Sequence, residues 1–186
     1  MPETIPLPDD PLHWFHFPMD NKHAQYWIDN LQLLPHQEGG YYKEVYRSDE
    51  IITQNCLPDR YTGGRAFSTS IYFLLEKEDK SHFHRLLSDE IWHFYDGTSV
   101  TIYVIDNDGK LSIHYLGKEY EKGEKLQIVL FKGCWFAAEV NDKNSYSLIG
   151  CTVAPGFDFN DFELADKVKL SKLYPQHKDL IIKLTV

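Results

Sequence analysis

The sequence predicts an all-β protein that folds as a sandwich or a barrel. Across residues 35–166, short segments with alternating side chains follow one another at roughly even spacing, with turn residues and no helical patterns between them. The Asn-Asp-Gly turn at 107–109 is a strong hairpin signal. Aromatic residues, which favour strands, make up 15% of the chain. Because 186 residues can bury one substantial core, we expect a single domain over residues 1–186.

The predicted strands account for most of the barrel region, 35–166. Each alternates faces over a length typical of a strand and ends near turn residues such as Gly, Asn or Asp. The predicted segments are 41–47, 66–76, 82–84, 90–95, 99–106, 111–117, 125–131, 134–140 and 146–154.

Helices are predicted only at the two ends of the chain. Residues 1–34 form an N-terminal extension and a helix, in which Asp20 is a candidate cap and Pro35 the end. The buried face of this helix has the spacing i, i+3, i+4, i+7, at Ala24, Trp27, Ile28 and Leu31. Residues 167–186 contain a short C-terminal helix after Pro175, with Leu180 and Ile181 buried.

The segment 155–166, PGFDFNDFELAD, leaves the predicted barrel with three phenylalanines and four acidic residues. A phenylalanine-rich segment in this position favours closure of the bottom of a barrel over binding of a ligand. We therefore expect it to be structural.

Composition and charge indicate which classes of partner are excluded and in which cellular compartment we expect the protein. A net charge of −9 argues against nucleic acid or an anionic membrane as a partner. No apolar run approaches the ~20 residues of a membrane helix, and the first residues lack the features of a signal peptide. The three cysteines, Cys56, Cys134 and Cys151, show no CxxC spacing and indicate reduced thiols. We expect a cytoplasmic protein.

The most informative stretch is SHFHRLLSDEIWHFYDG, residues 81–97. In a regular strand, His82 and His84 share a face because side chains alternate with a period of two. Together with a carboxylate from the adjacent acidic pair, Asp89 and Glu90, they could form a metal site or an acid/base site inside a barrel. His93 then lies on the face opposite to Glu90.

A second polar face lies on the strand predicted at 41–47. Tyr42, Glu44 and Tyr46 are on one side of this strand and are expected to line a polar pocket, although an edge or dimer strand would also explain them. Arg65 is a candidate ligand for a phosphate or a carboxylate. A surface salt bridge is the alternative for Arg65.

Several segments together resemble the cupin superfamily, in particular its small branch called cupin-five. They are PHQEGGYYKEVYRS, STSIYFLLE, SHFHRLLSDEIWHFYDG, GCWFAAEV and GCTVAPGFDF. The resemblance implies a double-stranded β-helix, a jelly-roll barrel that usually forms a homodimer, similar to the nucleotide-sugar epimerases and the germins. It also implies a bound small molecule.

The sequence departs from the cupin pattern in two places. The gap between His84 and the family's acidic residue is one residue longer at Glu90, whereas Asp89 stands at the usual distance, so either Asp89 is the site acid or a bulge precedes Glu90. In the second motif, Phe136 stands where the resemblance would put a third histidine.

Three functions follow from these observations. The first is a metal-free epimerase or isomerase acting on a sugar or nucleotide sugar, with His84 or His82 as base and a tyrosine as acid. The second is a metal-dependent isomerase or dioxygenase with one divalent transition metal on His82, His84 and Glu90. The third is a barrel that binds a small molecule without catalysis.

For the first of these functions we expect no cofactor and two groups of site residues. The catalytic candidates are His84, His82, Glu90 and Tyr46. The ligand-binding candidates are Tyr42, Glu44, Arg65, Trp92, Trp135 and Phe136.

Overall fold

The computed structural model describes residues 23–186 and confirms the predicted all-β class. Its strands, in chain order, are β1 Leu34–Pro35, β2 Tyr41–Arg47, β3 Ile51–Ile52, β4 Arg65–Ala66, β5 Thr69–Glu76, β6 Lys80–Leu86, β7 Asp89–Gly97, β8 Val100–Ile105, β9 Leu111–Leu116, β10 Gln127–Leu130, β11 Trp135–Val140, β12 Tyr146–Ala154 and β13 Phe162–Leu164. The helices are α1 Ala24–Leu31, α2 Lys167–Leu173 and α3 Lys178–Lys183.

The strands form two main antiparallel sheets that face each other. The first sheet has the order β1-β2-β5-β12-β7-β10, and the second has the order β13-β6-β11-β8-β9. A two-stranded sheet, β3-β4, stands apart from them. Neighbours in space are mostly distant in sequence, as expected for a jelly roll, in which the chain crosses repeatedly between the sheets.

The main core fills the space between the two sheets. Phe73, Trp92 and Ile149 contribute from the first sheet, whereas Ile102 and Phe136 contribute from the second. All five side chains are almost fully buried, which follows from the alternation of apolar residues along each strand.

The helices cover the outer faces of the sheets. α1 packs on the first sheet around Leu74 and Leu148, while α2 and α3 pack on the second sheet around Phe83 and Trp135. In the part of the chain that the structure describes, no helix is long and apolar enough to cross a membrane.

The helix ends differ from the prediction. α1 ends at Leu31 with Gln32 in the left-handed conformation, so Pro35 lies beyond it in β1. The proposed cap, Asp20, lies outside the described residues. At the other end there are two helices instead of one, because Asp166 caps α2 by accepting hydrogen bonds from the backbone N–H groups of Val168 and Lys169.

Two β-bulges change which side chains face the space between the sheets. In the pairing of β6 with β11, His84 lies opposite Phe136 but Ser81 lies opposite Ala138, so β6 contains one extra residue. In the pairing of β2 with β5, the register shifts between Glu44 and Tyr46. Each extra residue reverses the alternation of faces on one side of the bulge.

The turn between β1 and β2 is pressed tightly against β6. Gly39 has a φ of 107°, and a Cβ atom there would lie 2.1 Å from the carbonyl oxygen of Lys80. Only glycine fits both the positive φ and this close approach. The preceding residue, Glu38, accepts a hydrogen bond from the backbone N–H of His82 through its carbonyl oxygen, at 2.8 Å.

Arg65 forms a buried ion pair and not a ligand site or a surface salt bridge. Its guanidinium donates to Asp161 with N–O distances of 2.6 and 2.5 Å, and the two residues are 4% and 5% exposed. The pair joins β4 to the segment before β13. Because Asp161 accepts from Nε and Nη2 and the carbonyl oxygen of Gly64 accepts from Nη1, all three guanidinium nitrogens are engaged within the protein, and Arg65 is structural.

We expect Asp161→Asn to lower the free energy of unfolding by about 3–5 kcal/mol, since it leaves a buried guanidinium without its counter-charge. Urea unfolding followed by circular dichroism measures this change. The matched control is Glu163→Gln, which breaks the exposed pair of Glu163 with Arg85 and should cost less than about 1 kcal/mol. Equal effects of the two substitutions would contradict the structural role of Arg65.

Candidate acid/base site between the sheets

A cavity of about 430 Å³ opens between the two sheets. Its polar residues are His36, Glu38, Glu44, Arg47, Thr69, His84, Glu90 and Asp158. The rest of its wall is apolar or aromatic, formed by Tyr42, Ile71, Leu86, Cys151, Val153, Phe157 and Phe159. A concave site that combines apolar and aromatic walls with converging polar groups is typical of small-molecule binding.

The carboxylate of Glu38 is the centre of the polar cluster. Its Oε1 accepts a hydrogen bond from the hydroxyl of Ser81 at 2.9 Å. Its Oε2 lies 3.2 Å from Nε2 of His84 and 3.5 Å from Nδ1 of His36. The side chains of Glu38 and His84 are only 9% and 2% exposed, so this carboxyl group is almost removed from water.

The hydrogen bonds around His84 fix where its protons are. Nδ1 lies 2.8 Å from the carbonyl oxygen of His82, which can only accept, so Nδ1 carries a proton. In a neutral His84, Nε2 then presents a lone pair to Oε2 of Glu38. Two acceptors at this distance repel each other unless one proton lies between them. We infer that Glu38 and His84 share a proton.

Burial changes the pKa values of both groups that share this proton. Removal from water raises the pKa of Glu38 and lowers the pKa of His84, because in each case the charged form is disfavoured. Both shifts oppose a full ion pair, so the proton lies between the two groups and Glu38 keeps part of its negative charge. Burial also lowers the pKa of His36, the other imidazole beside Glu38.

Glu90 is the second carboxyl group of the cavity, and its contacts with Trp92 and Cys151 only partly offset its burial. Its Oε2 is buried without a hydrogen-bond partner in the described chain. Burial, and then the charge of Glu38, raise the pKa of Glu90 to about 7, although His84 opposes this shift. A buried acceptor left unpaired costs about 1–3 kcal/mol, which protonation or a donor on a ligand would offset.

The mouth of the cavity carries a charged pair. Arg47 donates to both carboxylate oxygens of Glu44, at 3.0 and 2.7 Å, and to the carbonyl oxygen of Phe157, at 3.1 Å. These bonds attach β2 to the segment after β12. Asp158, next along the chain, also lines the cavity.

Several of the predicted site residues do line this cavity. His84, Glu90, Tyr42 and Glu44 all lie on its wall. The choice between the two acids is also clear, because Asp89 is on the outside, where it accepts a hydrogen bond from the backbone N–H of Lys132.

The prediction that His82 and His84 share a face was wrong. The bulge in β6 lies between Ser81 and His84 and so includes His82, which leaves Ser81 and His84 pointing to Glu38 while His82 does not line the cavity. His82 instead holds the carbonyl oxygen of Glu38 through Nδ1, at 2.8 Å.

Tyr46 also lies outside the cavity, for the same kind of reason. The bulge next to Val45 reverses the alternation in β2, so Arg47 and not Tyr46 continues the face of Tyr42 and Glu44. Tyr46 is 53% exposed.

None of the three aromatic residues predicted to contact a ligand on the strands after β6 lines the cavity. Phe136 packs against His84 with ring centroids 4.1 Å apart, and Trp92 is buried in the main core, but neither lines the cavity. Trp135 lies on the opposite face of β11, where the guanidinium of Arg85 stacks 4.6 Å from its ring centroid.

The predicted metal ligands do not converge. His82 does not reach the cavity, and Phe136 lies directly opposite His84 in the strand pairing, where it supplies no donor atom. Among residues 23–186, no group of three His, Cys, Asp or Glu side chains has an arrangement that could hold a metal ion. The residues therefore do not fit the metal site of the second predicted function, whereas the absence of a cofactor stays a prediction.

Sequence reasoning missed His36, Glu38, Arg47 and the segment 157–159. The first two lie in the segment PHQEGGYYKEVYRS, which contributes to the family resemblance but was not predicted to supply an imidazole or an acid before the strand. The segment 157–159 was predicted to be structural, but Phe157, Asp158 and Phe159 line the cavity.

The raised pKa of Glu90 makes the free energy of unfolding depend on pH. Its pKa is about 7 in the native state and about 4.5 in an unfolded chain, so between these pH values the native state retains a proton that the unfolded state loses. Stability therefore falls as the pH rises through this window, by an amount on the order of 3 kcal/mol.

The wild type loses stability as the pH rises from about 5 to about 8, whereas Glu90→Gln does not, because glutamine does not ionise. We therefore expect the free energy of unfolding of Glu90→Gln, relative to that of the wild type, to increase by about 2–3 kcal/mol over this pH range. Urea unfolding of both proteins at the two pH values measures the difference. Asp89→Asn, at the exposed neighbour, controls for the loss of one negative charge. A difference between Glu90→Gln and wild type that stays constant with pH would show that Glu90 is not a perturbed acid.

Comparison with known proteins agrees with the fold. The family model described as cupin superfamily (DUF985) matches residues 25–165. An uncharacterised protein from Saccharomyces cerevisiae is 29% identical over 167 residues, which cover 84% of this chain and 77% of that protein.

Two solved structures are similar to this chain in both sequence and fold. A protein from Shewanella oneidensis is 41% identical, with a TM-score of 0.80, over 89% of this chain and 98% of that one. A hypothetical protein from Leishmania major is 37% identical, with a TM-score of 0.79, over 88% of this chain and 99% of that one.

A more distant similarity concerns the fold alone. Oxalate decarboxylase from Bacillus subtilis is 16% identical, with a TM-score of 0.50, over 81% of this chain and 36% of its own length. With the family match covering most of the described residues, the conclusion is that this chain belongs to the DUF985 family of the cupin superfamily.

Proposed function

We propose that this protein is an isomerase of the epimerase type, which binds a sugar or nucleotide sugar and moves a proton at the carbon beside its carbonyl group. The observation that carries the proposal is Glu90, a buried carboxyl group with an unpaired oxygen on the cavity wall. Its pKa of about 7 suits a group that must both take up and release a proton near neutral pH.

The positions of Glu90 and His84 support proton transfer on two faces of a ligand. Glu90 is on β7 of the first sheet, and His84 is on β6 of the second sheet. A ligand lying between the sheets therefore meets an acid/base group on each side. An epimerase requires this arrangement, since the proton leaves from one face and returns to the other.

The reaction needs no partner besides the substrate. Glu90 as carboxylate removes the proton from carbon, and the electron pair of the C–H bond forms an enolate with the carbonyl group. The pair of Glu38 and His84 then returns its shared proton to the same carbon through the carboxyl group of Glu38, which lines the cavity, and the electron pair of the enolate forms the new C–H bond. The shared proton makes the pair of Glu38 and His84 a donor without a metal ion. Tyr42, also on the cavity wall, is a second candidate acid.

We expect the protein to catalyse exchange of a carbon-bound proton with solvent deuterium in at least one member of a panel of aldoses, ketoses and nucleotide sugars. Proton NMR in deuterium oxide measures the exchange. Glu90→Gln should slow it by about 100-fold or more, the usual contribution of a general acid or base, with the ligand still bound.

The matched control is Tyr46→Phe, which alters a predicted residue that lies outside the cavity and should leave the exchange rate unchanged. A ligand that binds tightly but shows no exchange with the wild type would contradict the isomerase and favour a binding protein. Exchange that is unaffected by Glu90→Gln would contradict the role of Glu90.

A further inference from the structure

The charges that line the cavity are strongly biased toward one sign. Four carboxyl groups, from Glu38, Glu44, Glu90 and Asp158, face a single guanidinium, that of Arg47. No lysine lies among the lining residues of the described chain. Sites that bind phosphate or pyrophosphate normally present Arg or Lys side chains with free N–H donors.

Arg47 is not available as such a donor. Its Nε and Nη2 donate to the two carboxylate oxygens of Glu44, and Nη1 and Nη2 donate to the carbonyl oxygen of Phe157. Four of the five N–H groups of a guanidinium are therefore already used. The hydrogen bond to Glu44 raises the pKa of Arg47, so the two form a neutralised pair.

Arg47 and Arg65 both lie near Asp158, but each is already paired with another carboxylate, Glu44 and Asp161 respectively. Asp158 lies beside the Arg47 pair at the mouth, and the whole chain carries a net charge of −9. An anionic ligand that enters this cavity loses its hydration, which costs free energy. It is also repelled by the carboxylates that line the cavity.

We propose that the ligand of this cavity carries no phosphate, and that it is a free sugar or amino sugar of monosaccharide size. This inference rests on the proposed function and restricts its substrate class, excluding the nucleotide sugars. Hydroxyl or ammonium groups of the ligand donate to Glu90, Asp158 and the carboxylate of Glu44. The cavity of about 430 Å³ is near the small end of the ~300–1,000 Å³ range of ligand sites.

The aromatic residues fit the same ligand class. Phe157 and Phe159 lie edge to face with ring centroids 5.0 Å apart, and both line the cavity with Tyr42. Aromatic faces can pack against the C–H face of a sugar ring, while its hydroxyl groups point to the carboxyl groups.

The first test compares matched ligands by saturation-transfer NMR and calorimetry. For glucose, galactose and mannose, the panel contains the free sugar, the 2-amino sugar, the 6-phosphate and the nucleoside-diphosphate sugar. We expect the free or amino form of at least one series to bind at least tenfold more tightly than its phosphorylated forms. Tighter binding of a phosphorylated form, or no binding of any free or amino sugar, would overturn the proposal.

The second test uses pyrophosphate as the probe and does not depend on the correct sugar. The wild type should not bind pyrophosphate at millimolar concentration, whereas Glu44→Gln should gain binding because it releases Arg47. Glu163→Gln is the matched control, since it releases Arg85 from a similar exposed pair outside the cavity, and it should gain no binding. Binding by the wild type, or no gain in Glu44→Gln, would contradict the role given to the Glu44–Arg47 pair.

The two tests separate this inference from the proposed function. A free sugar that binds without deuterium exchange would contradict the isomerase and leave the ligand class intact. A nucleotide sugar that binds tightly and exchanges its proton would support the isomerase and overturn the ligand class.

Discussion

The site depends on the burial of one carboxyl group, that of Glu38. A carboxyl group in this position requires hydrogen-bond partners, and Ser81 and His84 of the facing sheet supply them. The backbone of Glu38 is held by the same strand, since its carbonyl oxygen accepts from the N–H and the ring of His82. The turn before β2 and strand β6 are therefore joined through a single residue.

This connection also determines the electrostatics of the neighbouring groups. With Glu38 removed from water, its proton is shared with His84, and its charge helps to raise the pKa of Glu90 to about 7. Two carboxyl groups and an imidazole close together cannot all be in their usual charge states. In the proposed reaction, these are the groups that take up and release the proton.

Much of the fold could be predicted from the sequence, because alternation of side chains and turn residues are local signals. Strands β2 and β12 were predicted with the bounds that the structure shows. The inward faces of β6 and β2 were only partly predicted, because one extra residue in each strand reverses the alternation. His82 and Tyr46 were misplaced for this reason, and nothing in their local sequence marks the bulges.

The remaining errors come from contacts between distant parts of the chain. The roles of Arg65 and Glu38 depend on Asp161 and on Ser81, respectively, and no local pattern in the sequence links these pairs. The same holds for Phe157 and Phe159, whose position at the cavity depends on the hydrogen bonds of Arg47 to this segment. The positions of His84 and Glu90 could be predicted because each follows from a single strand.

The central claim is that the cavity holds a coupled group of acids and imidazoles in which Glu90 titrates near neutral pH. Carbon-13 NMR of the side-chain carboxyl groups, followed as a function of pH in the wild type and in Glu38→Gln, tests it most directly. The account predicts a midpoint for Glu90 at about 7 in the wild type and a lower midpoint in the variant, because the charge of Glu38 helps to raise the pKa of Glu90. A Glu90 midpoint near 4.5, the usual value for a glutamate side chain, that does not respond to Glu38→Gln would contradict this claim.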